Sequence, residues 1–233
     1  MDKNKDIFGA AIKAFYKEND QTDITVHSPD FDDDIIPIDY LFREFDEMPQ
    51  IEQIALQSCE GKVLDVGCGA GSHALYLQNI KNLDVKAIDT SPGAIEIARE
   101  RGVRNAFCED FFKIEKQTYD CILMLMNGSG IIGTLDNLPQ FFAQAKTLLN
   151  AGGKILLDSS DLIFLFDDDD VNTDSYYGEL SYQLSYKGLN SDHFDWLFIG
   201  QELLIKKANE HGFDCRIIAQ GENHDFLASL NVR

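Results

Sequence analysis

Apolar residues recur at helical spacing over residues 7–17, where Ile7, Phe8, Ala11, Ile12 and Phe15 fall on one face. A polar, acidic loop is expected from there to about Pro37. A second helical region covers about 38–59, and Pro49 splits it into two short helices. From Gly61 the rhythm changes to alternating strands and helices. Strands are expected at Lys62–Val66, Val85–Ile88, Asn105–Cys108, Tyr119–Met126 and Lys154–Leu157. The fourth is wholly apolar, as strands buried on both faces of a parallel sheet are. Helices fit Ser72–Ile80, the stretch from Ser91-Pro92 to Gly102, and Leu138–Leu149, which Asn150-Ala151-Gly152-Gly153 closes.

The rhythm then breaks. Leu180, Tyr182, Leu184 and Tyr186 alternate with polar residues, and Phe194–Ile199 can pair back with them through a turn at 187–193. A helix at Gln201–His211 and strands at Phe213–Ala219 and His224–Leu230 complete the chain. Alternating βα units imply an α/β fold with a doubly wound, mostly parallel sheet. Residues 1–60 read as an N-terminal helical cap and 61–233 as the main domain, with a β-hairpin inserted at about 178–200.

Charge adds what the pattern does not. The 233 residues carry a net −20, and residues 18–52 alone hold twelve acids against Arg43. Residues 158–179 hold eight acids and no Lys or Arg, so the rest of the chain is nearly neutral. Nucleic acid and anionic lipid are poor partners for such a surface. No apolar run is long enough to span a membrane, and the N-terminus lacks the apolar core of a secretory signal. The five cysteines form no C-x-x-C pair, so neither a disulfide framework nor a zinc site is expected. A reducing, cytoplasmic setting follows.

The informative segment is Val63-Leu64-Asp65-Val66-Gly67-Cys68-Gly69-Ala70-Gly71. A strand ends in an acid, and glycine then stands at every second position. Such a turn brings backbone amides close to a ligand, and the helix behind it adds its positive end. Asp65 can accept from a positively charged ligand group or brace the loop. A dinucleotide turn would read G-x-G-x-x-G, whereas Ser72 stands at the last glycine's place. Asp89, with Thr90 and Ser91 after it, closes the second strand, and an acid there suits a ribose diol. Asp110-Phe111 follows the third strand, offering an acceptor for an exocyclic amine and a ring for a purine. The fourth strand delivers Met126, Asn127, Gly128, Ser129 and Gly130 to the same rim.

These blocks, with Leu148–Lys154, resemble class I S-adenosylmethionine-dependent methyltransferases over about residues 61–158. The resemblance implies a seven-stranded Rossmann-like sheet with a reversed last strand, and S-adenosylmethionine as cofactor. It places Gly67, Cys68, Gly69 and Gly71 along the methionine part, Asp89, Thr90 and Ser91 at the ribose, and Asp110 and Phe111 at the adenine. Met126 and Asn127 would line the sulfonium side, and Tyr40 and Arg43 would reach the cofactor's carboxylate from the N-terminal region.

The implied reaction is an in-line methyl transfer to a nitrogen or oxygen of a small molecule, governed by positioning and water exclusion. No catalytic base stands out. His193 and His224 are candidates that read first as surface or turn histidines; Asp158 and Asp161, after the fifth strand, are candidates too, and a solvated or capping acid is an equal reading of Asp158. Asp167–Asp170 reads as a solvated loop, not a metal site, because adjacent carboxylates cannot all face one ion. Tyr182, Tyr186 and Trp196 read as core or interface before pocket. The two acidic segments flank the shared blocks and predict an acidic mouth that favours neutral or cationic acceptors. The hairpin edges would allow two chains to pair. The competing classes are a nicotinamide-dependent oxidoreductase and a non-catalytic binding module. A protein acceptor stays open, and RNA is the acceptor that charge disfavours most.

Overall fold

Asp6 caps the first helix, its carboxylate accepting from the Gly9 amide at 3.0 Å. In the computed structural model, which describes residues 5–115, 117–166 and 176–233, that helix is α1 (Ile7–Glu18). Strands β1 (Ile24–His27) and β2 (Asp34–Ile36) follow, then two 3-10 turns at Asp39–Phe42 and Phe45–Glu47. Next come α2 (Gln50–Ser58), β3 (Lys62–Val66), α3 (Ser72–Asn79), β4 (Asp84–Asp89), α4 (Pro92–Glu100), β5 (Ala106–Cys108) and β6 (Tyr119–Met124). The remainder is α5 (Leu138–Leu148), β7 (Leu149–Ser160), β8 (Glu179–Tyr186), β9 (Leu189–Asn190), β10 (Phe194–Leu197), α6 (Gln201–Glu210), β11 (Phe213–Gln220) and β12 (Asp225–Val232).

Seven strands form one mostly parallel sheet in the order β11-β12-β7-β6-β3-β4-β5. β4 runs parallel to β5 and β6 to β7, while β12 is antiparallel to both β7 and β11. The reversed strand is the one expected near the end of the chain. A second sheet has the order β10-β8-β1-β2, with β9 on β8.

The chain forms two compact units. The first is Met1–Met48, Leu64–Lys113 and Ser181–Phe194. In it α1 lies against α4 at a close crossing: a Cβ on Gly93 would stand 2.7 Å from the Gly9 Cα. Ile7, Ala11 and Ile12 of α1 and Ile95, Ile97 and Ala98 of α4 are buried there. The second unit is Pro49–Val63, Ile114–Leu180 and Asp195–Arg233. Its core is the apolar interior of β6 and β7 with Phe141, Phe142, Phe213 and Phe226, all nearly fully buried.

The structure corrects four expectations. The acidic loop before Pro37 contains two strands, because Ile24 and Val26 alternate with Thr25 and His27 and find a partner in β8. The region 38–59 holds two 3-10 turns before one α-helix. The apolar fourth strand stops at Met124, since Met126 and Asn127 take left-handed backbone (φ 66° and 56°). The fifth strand begins at Leu149, so Asn150–Gly153 lie within it beside an irregularity in the pairing with β6. Asp167–Asp170 lies outside the described residues.

Candidate functional site

The glycine turn follows β3 in the first unit. Gly67 and Cys68 both donate to the Ile88 carbonyl, at 2.9 and 3.0 Å, which anchors the turn to the end of β4. Gly69 and Gly71 have φ of 53° and 87°, a region only glycine enters cheaply. A side chain at Gly71 would strike Val103 at 2.6 Å, whereas a Cβ on Gly69 would meet open space. Gly71 is therefore required by packing, and Gly69 leaves the turn's surface clear.

Asp65, at the end of β3, is only 2% exposed, and among the described residues its Oδ2 has no hydrogen-bond partner. Burial pushes its carboxyl up to about 6; His73 opposes the rise, the Asp89 charge adds to it, and the Ala74 amide lowers it slightly. Cys68 is buried beside these carboxylates, and its thiol is held well above the usual range by burial and then by their charge. A buried acceptor beside open backbone suits a cationic group.

Asp89 ties the next loop to the glycine turn. Its Oδ2 accepts from the Gly69 amide at 2.9 Å and its Oδ1 from the Ser91 amide at 2.8 Å. Burial raises its carboxyl, and these amides oppose the rise. Each oxygen keeps a second lone pair for a diol. Thr90 is exposed, and Ser91 caps α4 by accepting from Ala94 at 3.0 Å. Ser91 Oγ in turn donates to Asp6 at 2.6 Å, and Gly93 donates to Asp6 at 2.9 Å. One buried carboxylate thus joins the starts of α1 and α4.

The N-terminal segment reaches the same turn. Ser72 Oγ donates to the Leu41 carbonyl at 3.1 Å, which seats the 3-10 turn on the start of α3. The Arg43 guanidinium lies over the Tyr40 ring at 3.2 Å and donates through Nε to the Tyr40 carbonyl at 2.8 Å. Arg101 holds this corner from behind, donating to Ala70 O at 2.8 Å, Ser72 Oγ at 3.1 Å and Phe42 O at 3.4 Å.

Asp110 closes its own turn, accepting from Phe112 N at 3.0 Å and pairing with Lys113 at 2.9 Å. Phe111 is 2% exposed and stands edge-on to Phe112 with centroids 5.3 Å apart. Phe112 is the more accessible ring. The first unit therefore gathers Asp65, the glycine turn, Asp89, Thr90, Ser91, Tyr40 and Arg43 around one corner. Asp110 and Phe111 follow β5, which pairs with β4 through Asp89 and Cys108.

In the second unit Met126 and Asn127 occupy a strained turn braced by Asp158. Its Oδ2 accepts from Met126 N at 3.0 Å and its Oδ1 from Gly128 N at 2.8 Å. Burial drives this carboxyl up to about 7 despite those amides, with Glu52 contributing repulsion. Ser160 Oγ donates to the Asn127 side chain at 2.8 Å. Asp158 is thus a loop brace. Asp161 is a cap that accepts from Ile163 N at 3.1 Å and Tyr177 OH at 2.7 Å. His224 is exposed and stacks on Phe164 at 4.4 Å, and His193 is exposed. The Trp196 ring fills the space where a Gly130 side chain would stand. Tyr186 is 5% exposed, so it belongs to the core, while Tyr182 is half-buried and meets Phe194 edge-on. Burial pushes the Tyr182 hydroxyl up to about 12.

Sequence reasoning missed Asp6 and Arg101. An acid directly before an apolar helix was the available signal for Asp6. Nothing local marks Arg101, whose partners lie about thirty residues and more upstream. Among the described residues no helix is long and apolar enough to cross a membrane, and no group of His, Cys, Asp and Glu could hold a metal.

Known methyltransferases share the family and the fold of this chain. The family described as a methyltransferase domain matches residues 63–153. A solved S-adenosylmethionine-dependent methyltransferase from Bacteroides fragilis, in complex with S-adenosyl-L-homocysteine, is 45% identical over 100% of this chain and 97% of that one, with a TM-score of 0.94. A ribosomal protein L11 methyltransferase of Ruminiclostridium cellulolyticum is 25% identical over 62% of this chain and 53% of its own length. The chain thus spans about half the length of that curated relative. A sugar N-methyltransferase from Streptoalloteichus shares the fold, with a TM-score of 0.56 at 17% identity over 78% of this chain and 85% of that one.

Proposed function

Since the chain belongs to the S-adenosylmethionine-dependent methyltransferases, we propose that its acceptor is a neutral or cationic small molecule methylated on nitrogen or oxygen. When bound, S-adenosylmethionine supplies a methyl group activated by its sulfonium. The observation that carries the cofactor assignment within this chain is Asp65. Its buried Oδ2, without a partner among the described residues, is the acceptor an amino-acid ammonium would satisfy. The open surface over Gly69 fits the same group. Asp89 would orient the ribose while holding Gly69 and Ser91. Arg43, stacked on Tyr40, would meet the carboxylate, and Asp110 and Phe111 would bound the adenine.

The acceptor reading is supported by the pieces outside the matched blocks. Strands β1, β2 and β8 make a separate antiparallel sheet, and the loop 28–33 between β1 and β2 carries Asp30, Asp32 and Asp33. Acids there favour amines over anionic acceptors. A protein acceptor is the second reading, because the Ruminiclostridium relative is named for ribosomal protein L11. Formation of S-adenosylhomocysteine with a panel of amines, hydroxyl compounds and purified L11 separates the two. Turnover of L11 alone would overturn the small-molecule reading, as would faster turnover of a carboxylate analogue than of its amine.

A further inference from the structure

The small sheet carries polar side chains that the methyltransferase reading leaves unused. Thr25 pairs with Ser185 across β1 and β8, and His27 pairs with Gln183. Alternate residues share a face, so His27 and Ser185 are diagonal neighbours on one side of the sheet. Their side chains meet: His27 Nε2 lies 2.8 Å from Ser185 Oγ. The other ring nitrogen, Nδ1, lies 2.7 Å from Asp33 Oδ1, in the loop just before β2. An ionised carboxylate only accepts, so Nδ1 carries the proton and donates to Asp33. Nε2 is then the ring's acceptor, and the Ser185 hydroxyl donates to it. Nucleophile, base and orienting acid stand in the serial order that activates a serine.

We propose that Asp33, His27 and Ser185, none of them among the residues assigned to methyl transfer, form a nucleophilic centre that takes the acyl group of small esters without negative charge. The loop 28–33 carries Asp30, Asp32 and Asp33 and no Lys or Arg, which disfavours anionic esters. Ser185 Oγ attacks the ester carbonyl carbon while its proton passes to His27 Nε2. The C–O bond to the alcohol then breaks, and the alcohol leaves with that proton. An acyl-serine and a neutral imidazole remain. Water repeats the sequence, releasing the acid and restoring the serine. Asp33 holds the ring in the required tautomer throughout. His27 and Asp33 side chains are 35% and 60% exposed. In so wet a site the gain should be about 100-fold, the low end of what a positioned base contributes.

The test uses an alkyl fluorophosphonate on the intact chain. Its phosphorus bonds to Ser185 Oγ as fluoride leaves, and the proton is lost through His27. Peptide mapping of wild type should place the adduct on Ser185. His27→Ala should slow labelling about 100-fold, and Ser185→Ala should abolish it at that position. Binding of S-adenosylhomocysteine by calorimetry checks that the variants fold and scores the methyltransferase reading separately. Absence of an adduct on Ser185 in wild type overturns the proposal whether or not any variant folds. Equal labelling rates in wild type and a folded His27→Ala do the same.

Discussion

Replacing Asp6 by Ala should loosen the junction of α1 and α4 by a predictable amount. The carboxylate accepts from Gly9 N at 3.0 Å, Ser91 Oγ at 2.6 Å and Gly93 N at 2.9 Å, and it is 8% exposed. Water has little access, because the Gly9–Gly93 crossing leaves no room for even a Cβ. Each bond to a charged acceptor contributes about 1.5–3 kcal/mol, but partial rehydration of the helix ends returns some of it. A net loss of about 4 kcal/mol is reasonable for three linked donors, in the upper range of single substitutions. For a chain of this size that lowers the melting temperature by about 8–16 °C. Asp6→Asn keeps one oxygen but turns an amide nitrogen toward a donor, so about half that loss is expected. Thermal unfolding followed by circular dichroism measures both. An Asp6→Ala chain melting within about 2 °C of wild type would refute the idea that this carboxylate joins the helices.

Asp89→Ala removes the anchors of Gly69 and Ser91 and should weaken S-adenosylhomocysteine binding by about 30- to 100-fold in calorimetry; an unchanged affinity would remove Asp89 from the site. Asp65→Asn should cost about tenfold in the same assay. Because the Asp65 carboxyl sits at about 6, wild-type affinity should fall as pH drops through that value, more steeply than that of the Asn variant, which keeps only the raised carboxyl of Asp89. Asp158 has the opposite stability signature from a salt-bridged acid. Its folded carboxyl, at about 7, binds its proton more tightly than the unfolded one, so the stabilisation is complete below pH ~4 and is lost as pH rises through about 7. Denaturant titrations across that window should show wild type losing up to about 4 kcal/mol relative to Asp158→Asn. Changing Asp30, Asp32, Asp39 and Asp46 together to Asn should leave the melting temperature within about 2 °C yet raise KM for an amine acceptor at low salt.

Legibility followed how local the cause was. The start of α4 could be read because its signals are adjacent: Ser91 caps, Pro92 fits the first turn, and Gly102 ends it at φ 105°. The glycine turn could be read because Gly69 and Gly71 are needed by the turn itself. β1 escaped notice because four residues of alternation are weak beside dense acid, and its pairing partner lies far along the chain in β8. The end of β6 was misjudged for a related reason. Met126 looks like a strand residue, but Asp158, thirty-two residues later, holds its amide in a left-handed turn. Phe111 could be named from its place after β5, yet its burial against Phe112 depends on packing that order alone does not encode.

The acidity of residues 18–52 divides by the same test of partners. Asp20 accepts from Thr22 N at 2.9 Å and pairs with Lys187, which holds its carboxyl well below the usual range. Asp23 accepts from Ile38 N at 2.9 Å, Glu47 from Glu44 N at 2.8 Å, and Asp34 from Ile35 N at 2.7 Å. Asp20, Asp23 and Asp34 shape the loops around β1 and β2, and Glu47 shapes the second 3-10 turn, so neutralising them changes the backbone as well as the charge. Asp30, Asp32, Asp39 and Asp46 have exposed side chains, and an exposed acid contributes little to stability by itself. A field of one sign still acts at a distance of about one Debye length, ~8–10 Å at physiological salt. The acids that hold the backbone and the acids with exposed side chains are therefore largely different residues, so neutralising Asp30, Asp32, Asp39 and Asp46 changes the field while the small sheet stays intact.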